Sequence, residues 1–242
     1  SSFARDIVLM KQCKVNPIII HGGGPMINNA LNKWGIDFNF VDGKRVTDKK
    51  AVKIVEMVLS GDLNKNIVSS INNQGGKGVG ISGKDASLVI CEKDNPELGY
   101  VGKPILINTK LITTLVENDF IPVISPIGTN EEGETFNINA DTMAGTIASA
   151  LKADRLLLLT DVSGVKDKSG NKIEKASTEA IKKLIKENVI KDGMIPKVNT
   201  AIDSIEKGVR AVVILDGSIQ NACLLELFTD HGVGTLIRKE LN

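Results

Sequence analysis

The stretch from residue 17 to 34 constrains this chain more than any other. Pro17-Ile18-Ile19-Ile20 is a short apolar, β-branched run that reads as a strand, His21-Gly22-Gly23-Gly24-Pro25 ends it, and residues 26–34 have helical spacing. A strand that turns through glycines into a helix exposes backbone N–H groups at the positive end of a helix dipole, a place that suits an anion. Glycine also lets a ligand come close to the backbone. A tight strand-to-helix turn with no ligand explains the same residues, and the triple glycine alone does not choose between the two.

The alternation continues through all 242 residues. Apolar runs at 79–81, 121–125, 156–160, 212–215 and 234–238 read as strands, and 87–92 with 101–107 as a hairpin turning through Asp94-Asn95-Pro96 and Gly99. Helical spacing covers residues 3–11, 48–60, 63–74, 109–118, 178–187, 196–207 and 222–229, and Asp141 is expected to cap an Ala-rich helix running to 151. Such a pattern is that of an α/β fold, a mostly parallel central sheet with helices on both faces. No repeat, linker or low-complexity segment interrupts it, so two abutting lobes are expected, 1–152 and 153–242.

Composition removes several function classes. Lys+Arg is 30 against Asp+Glu 29, so no basic excess points to nucleic acid and no acidic tail is present. No apolar run reaches the roughly 18 residues needed to span a bilayer. Cys13, Cys91 and Cys223 are odd in number and far apart, which points to reduced thiols in a reducing compartment. His21 and His231 are too few for a His-rich metal site, so no metal ligands are assigned.

Four further motifs carry chemistry, each with a plainer reading beside it. Gly78-Val79-Gly80-Ile81-Ser82-Gly83-Lys84 fits the phosphate-loop pattern, but Asp85 follows where a hydroxyl is required and the next segment reads as strand, so that motif is rejected. In Asn137-Ile138-Asn139-Ala140-Asp141, an extended backbone would put Asn137, Asn139 and Asp141 on one face as a ligand set; otherwise they serve only the turn and the helix cap. Asp192-Gly193-Met194-Ile195-Pro196-Lys197 places a lysine in the first turn of a helix, against the dipole, which suggests a task for it other than solvation. Arg45 follows a Gly-Lys turn, and its fork suits a carboxylate, although a surface arginine looks the same in sequence.

In their order and spacing these pieces resemble the amino acid kinase family, from about residue 3 to 238. His21-Gly22-Gly23-Gly24, Gly43-Lys44-Arg45-Val46-Thr47, Ser82-Gly83-Lys84-Asp85, Asn137-Ile138-Asn139-Ala140-Asp141, Thr160-Asp161-Val162-Ser163-Gly164-Val165 and Asp192-Gly193-Met194-Ile195-Pro196-Lys197-Val198 carry it. The Arg-Val-Thr and Asn-Ile-Asn-Ala-Asp pair is similar to the branch that phosphorylates the side-chain carboxylate of N-acetyl-L-glutamate with ATP and magnesium, in arginine biosynthesis. The resemblance implies that Gly23 and Gly24 bind the acyl substrate, Arg45 its α-carboxylate and Asn137 its acetamido end. It implies that Lys197 neutralises the transferring phosphoryl group and Asp141 orients catalytic lysines. It assigns the nucleotide to Gly22, to Asp161, Val162, Ser163, Gly164, Val165 and Lys166, and to Val189, Ile190 and Lys191.

The 222–235 segment is similar to that of arginine-inhibited members, which implies an effector site at Glu226 and Gly232; an amphipathic core helix is the other reading. The resemblance further implies a cytoplasmic or plastid enzyme, a homodimer or hexamer, and a possible PII-type signalling partner. One departure stands out. The family's Lys-x-Gly-Gly at its first strand does not precede Pro17, so a first strand and one of two catalytic lysines are expected in some twenty or more residues upstream. Another kinase of the family, acting on carbamate, aspartate or a nucleotide, and a small-molecule sensor that has lost catalysis remain as alternatives.

Overall fold

The computed structural model describes residues 2–41, 43–191 and 193–240. Contacts divide the chain into two compact units, one from Phe3 to Met143 and one from Ala144 onward.

The first unit opens with α1 (Ser2–Gln12), β1 (Ile19–Ile20), α2 (Gly24–Lys33) and a hairpin of β2 (Phe40–Val41) and β3 (Lys44–Arg45). Next comes α3 (Lys49–Glu56), which starts where Asp48 accepts the N–H groups of Lys50 and Ala51 at 2.9 and 2.7 Å. That cap satisfies two of the amides every helix start leaves over. Residues Met57–Leu63 form a π-helical turn that runs without a break into α4 (Asn64–Asn72). The sequence predicts two helices here, 48–60 and 63–74. The chain continues instead because Leu59 and Leu63 are both locked in one apolar cluster with Ile27, Leu31, Ala51, Ile54, Val55 and Ile127. Each such side chain contributes about 1.5–3 kcal/mol of transfer free energy, more than one glycine in a helix costs. Ser60 turns its hydroxyl to that of buried Ser125, 2.7 Å away.

β4 (Gly78–Ser82), β5 (Val89–Lys93), β6 (Gly102–Ile107), α5 (Lys110–Glu117), β7 (Ile121–Ser125), β8 (Ile127–Thr129) and β9 (Thr135–Asn137) complete the strands of this unit. β7 is the middle of a parallel sheet, β1-β7-β4, with Ile19 opposite Val123 and Gly80 opposite Val123 on the other side. It is buried along its whole length, as a central parallel strand requires. A second sheet, β6-β5-β8-β9, contains the expected hairpin as the antiparallel pair β5–β6. The phosphate-loop pattern at 78–84 is β4 and its turn. Asp85 there accepts the Ser82 amide and hydroxyl at 2.7 and 2.8 Å, and a 3₁₀ turn leads into β5, with no helix to face a phosphate.

α6 (Ala140–Ala150) carries the chain into the second unit. Asp141 lies inside its first turn and is not the expected cap. Asn139 performs that task, its side-chain oxygen accepting the Thr142 N–H at 3.0 Å. The unit then contains β10 (Leu156–Thr160), β11 (Lys175–Ser177), α7 (Thr178–Lys186), α8 (Met194–Glu206), β12 (Val212–Asp216), α9 (Ala222–Phe228) and β13 (Thr235–Arg238). Its sheet runs β10-β12-β13-β11, with β10–β12 and β11–β13 parallel and β12–β13 antiparallel. The fold class is therefore α/β with a largely parallel core in each unit. The two-residue hairpin strands and the three-residue β8, β9 and β11 are too short for a periodic signal.

Gly99 marks the tightest approach near β3. Its φ is +69°, and a Cβ there would stand 2.5 Å from the Thr47 carbonyl, which is already accepting the Tyr100 N–H at 2.7 Å. Gly99→Ala is expected to lower stability by about 1–3 kcal/mol, read from urea denaturation. A change within about 0.5 kcal/mol, the range of an ordinary surface substitution, would contradict this packing.

Candidate active site

The first unit holds a cavity of about 190 Å³ lined by the glycine turn, Gly22 to Gly24, by Arg45 of β3, and by Asn137 to Ala140 between β9 and α6. Ile27, Phe40, Leu59, Val101 and Ile138 supply an apolar wall. Pockets for drug-sized ligands run to roughly 300–1,000 Å³. This one suits a molecule the size of an amino-acid derivative.

Arg45 is its charged group. Only 6% of the residue is exposed, and the guanidinium carbon lies against two phenylalanine rings set edge to face, 4.8 Å from the centre of the Phe38 ring and 4.7 Å from that of Phe40. Nη2 donates to the Asn28 side-chain oxygen at 2.6 Å and, at 3.5 Å, to the Gly24 carbonyl. Nη1 is buried and has no hydrogen-bond partner, and no carboxylate pairs with the guanidinium among the described residues. Burial lowers the Arg45 pKa from its ordinary value, but an arginine stays protonated. A buried cation with an unmet donor is costly unless an anion completes it.

The glycine turn is shaped from behind. Gly23 has no room for a Cβ, which would collide with the Leu59 and Leu63 side chains, themselves fixed in the core. The Ile27 amide already bonds the Gly23 carbonyl at 3.0 Å, whereas the amides of Gly23 and Gly24 take no acceptor among the described residues. His21, 8% exposed, is bonded on both ring nitrogens: Nδ1 lies 3.0 Å from the Gly22 carbonyl and Nε2 lies 3.2 Å from the Asn64 side-chain nitrogen. Opposite the turn, Thr47 donates its hydroxyl to the Arg45 carbonyl at 2.9 Å and accepts the Asn137 side-chain N–H at 3.3 Å. With its nitrogen used there, Asn137 keeps its side-chain oxygen as an acceptor. Asn139 also lines the cavity, but its oxygen takes the Thr142 amide and hydroxyl, at 3.0 and 3.3 Å. The three polar residues 137, 139 and 141 therefore do not form one extended ligand face: the first ends a strand, the second caps a helix and the third is helical.

In the second unit the Asp161–Lys166 loop leaves the carboxyl end of β10, the end at which open α/β sheets bind ligands. Thr235 anchors it by accepting the Val165 N–H at 2.9 Å, and Gly164, with φ +136°, passes so close that a Cβ would meet the Thr235 hydroxyl at 2.5 Å. Val165 and Ile190 bury their side chains, while Val162 and Lys191 are exposed. Lys197 is the fourth residue of α8, half-buried. Asp192, part of the motif that led to Lys197, lies outside the described residues.

The chain matches the amino acid kinase family over residues 1–216. It is 59% identical over 239 residues to the acetylglutamate kinase of Ruegeria pomeroyi, an alignment covering 99% of this chain and 83% of that one. To the acetylglutamate kinase of Dinoroseobacter shibae it is 58% identical, with the same coverage. Its fold superposes on the structure of smu.665 from Streptococcus mutans with a TM-score of 0.85 and 31% identity, covering 98% of this chain and 91% of that one.

The chain belongs to the amino acid kinase family.

As an amino acid kinase it brings together, in one cavity, six of the residues its sequence marked: Gly22, Gly23, Gly24, Arg45, Asn137 and Asn139. Asp141 follows the lining residue Ala140 by one position, and Lys197 and the nucleotide loops stand in the other unit. The sequence reading missed the parts that aim these groups: Phe38, Phe40 and Asn28 around Arg45, Thr47 beneath Asn137, and Asn64 behind His21. Only the Phe38-x-Phe40 spacing carried a signal, since alternate residues of an extended segment share a face.

Burial lowers the His21 pKa below its ordinary value, with the Gly22 hydrogen bond opposing. The unfolded chain takes up this proton from about pH 6.5 downward and the folded chain resists it. Stability is therefore complete above about pH 6.5 and falls as pH drops toward the folded His21 pKa. In urea midpoints measured across that window, His21→Asn is expected to flatten the acid slope; an unchanged slope would show that His21 does not contribute to it.

Proposed function

We propose that this chain transfers the terminal phosphoryl group of ATP to the side-chain carboxylate of N-acetyl-L-glutamate, a step of arginine biosynthesis. The observation that carries the reading is the buried Arg45 guanidinium, with Nη1 unmet, in an amino-acid-sized cavity that also presents the glycine-turn amides. Identity of 56–59% to acetylglutamate kinases over nearly the whole chain supports the same acceptor.

The residues divide the work by charge. Arg45 receives the α-carboxylate, the group a planar fork matches best. The Asn137 side-chain oxygen takes the acetamido N–H, and the apolar wall receives the acetyl methyl. These contacts leave the γ-carboxylate for the glycine turn. It is ionised near neutral pH, so no base is needed to activate it. The barrier lies in bringing it to a polyanion, and alignment and neutralisation lower that barrier. The amides of Gly23 and Gly24 supply dipoles, Lys197 supplies a positive charge on the transferring group, and Asp141 orients lysine. ATP arrives as substrate with magnesium on its phosphates. Gly22, the Asp161–Lys166 loop and residues 189–191 hold it, with Val165 and Ile190 offering backbone groups only. On this reading the N-terminal lobe, 1–152, binds the acyl acid and makes subunit contacts, and the C-terminal lobe, 153–242, binds ATP.

An arginine effector has its own support in the second unit. Glu226 is 8% exposed, accepts the Gly234 N–H at 3.2 Å and pairs with no cation among the described residues. Gly232 abuts that carboxylate so closely that a Cβ would collide with it. A buried carboxylate without a counter-charge suits a guanidinium. A homodimer or hexamer, a PII-type partner and a cytoplasmic or plastid location belong to the same proposal by family likeness. No helix among the described residues is long and apolar enough to cross a membrane.

An ADP-release assay on the purified protein tests the reading, with N-acetylglutamate compared against carbamate, aspartate and nucleotide acceptors. Turnover with N-acetylglutamate alone is expected; preference for another acceptor would refute it. Lys197→Ala should lower kcat by about 100- to 1,000-fold with little change in the KM for ATP. Arg45→Lys should raise the acceptor KM, because a point charge cannot replace the fork, and an unaltered KM would remove Arg45 from the site.

A further inference from the structure

Of the buried titratable groups in the first unit that the mechanism does not use, His21 is the one beside the glycine turn. His21 stands directly before the glycine turn, touches no ligand-facing surface, and is hydrogen-bonded through both ring nitrogens. Its tautomer follows from its neighbours. The Asn64 side-chain nitrogen donates to the Val123 carbonyl at 3.0 Å, and the Asn64 oxygen receives the Lys65 ammonium at 3.1 Å. Both contacts set the amide the same way round, so nitrogen faces His21. Nε2 of His21 must then be the acceptor, and the ring's one proton sits on Nδ1, where it is donated to the Gly22 carbonyl.

That bond governs an amide one atom further on. In a trans peptide the C=O and the following N–H point in opposite directions. The Gly22 carbonyl is pulled toward the buried His21 ring, so the Gly23 N–H is turned away from it, to the cavity side. Without such a hold this peptide would rotate cheaply, because glycine on both sides removes the steric barriers that restrict other residues. Its neighbour Gly24 is less exposed to the problem, since Pro25 and the start of α2 fix the chain there.

We infer that His21 is a positioning residue: Asn64 holds it as the neutral Nδ1–H tautomer, and it locks the Gly22–Gly23 peptide so that the Gly23 amide faces the acceptor carboxylate and the phosphoryl group. The inference rests on the kinase reading of the glycine turn for its effect on rate, while the tautomer and the peptide lock are properties of the protein itself.

Two measurements test it. Imidazole ¹⁵N spectra of the wild-type protein should show His21 protonated on Nδ1 with Nε2 bare, whether or not the protein turns over; a proton on Nε2 would overturn the inference. Steady-state kinetics then compare His21→Leu with His21→Asn, whose side-chain nitrogen stands near the place of Nδ1. His21→Leu should lower kcat by about 10- to 100-fold, with both KM values changed far less. His21→Asn should recover most of the loss at a similar Tm. Equal kcat in the two variants at equal Tm would mean that the ring's bulk matters and its donor does not, which contradicts the lock. Should His21→Leu fail to fold, His21→Asp replaces it, being the shape of His21→Asn without the donor. A wild-type protein inactive toward N-acetylglutamate would sink the kinase reading, and the ¹⁵N result would still decide the lock.

Discussion

A guanidinium taken almost wholly out of water, with one of its nitrogens given no partner among the described residues, is the constraint around which the first unit is arranged. Two phenylalanine rings set edge to face lie against it, Asn28 accepts from Nη2, and Thr47 bonds the backbone that carries it. Aromatic faces stabilise a cation by about 0.5–2 kcal/mol, well short of what desolvating it costs. The fold holds this position only because the rest of the unit over-determines it, through the packing of α2, α3 and the π turn into a single apolar cluster. The deficit is located where a small acid would remove it. That is how a binding site differs from a structural ion pair, in which the counter-charge is already in place.

The same cluster serves the opposite wall of the cavity. Leu59 and Leu63 sit on the π turn, and together they occupy the space a side chain on Gly23 would need. A regular helix would bring residues 59 and 63 onto one stripe at a different offset; the wider turn lets both reach the glycine while Asn64, the next residue, meets His21. Single π turns inside α-helices occur often at functional sites. Here the reason is visible: one irregular turn sets two leucines against Gly23 and brings the next residue, Asn64, to the His21 ring. Arg45 and the glycine amides, one a charge and the other a set of dipoles, then bracket a space sized for one amino-acid derivative.

How much of this was legible in the sequence depended on range. The β5–β6 hairpin and the central strand β7 follow from local runs and turn residues, and both are present. The glycine turn and Arg45 could be marked as candidates because Gly-Gly-Gly before a helix and an arginine after a turn are local patterns too. Asp141 was misplaced because Asn and Asp both make good caps and two of them stand within three residues; the backbone bend at Asn139, set by contacts beyond the motif, decided between them. The join of α3 to α4 was hidden because Ser60-Gly61 weighs against a helix locally, and the leucines that override it find their partners across the unit. Asn28, Thr47 and Asn64 were invisible for the same reason. Asn28 acts on Arg45 17 positions away, Asn64 on His21 43 away and Thr47 on Asn137 90 away, and no sequence period connects any of these pairs.

The central claim is that the unmet Arg45 donor is completed by the substrate's α-carboxylate. Calorimetric titration of the purified protein with N-acetylglutamate and with its α-amide, which keeps the γ-carboxylate and the acetyl group, tests it directly. Loss of one partner of a buried charge pair costs 2–5 kcal/mol, so the account predicts that the α-amide binds about 30-fold or more weakly. Equal affinities for the two would contradict it.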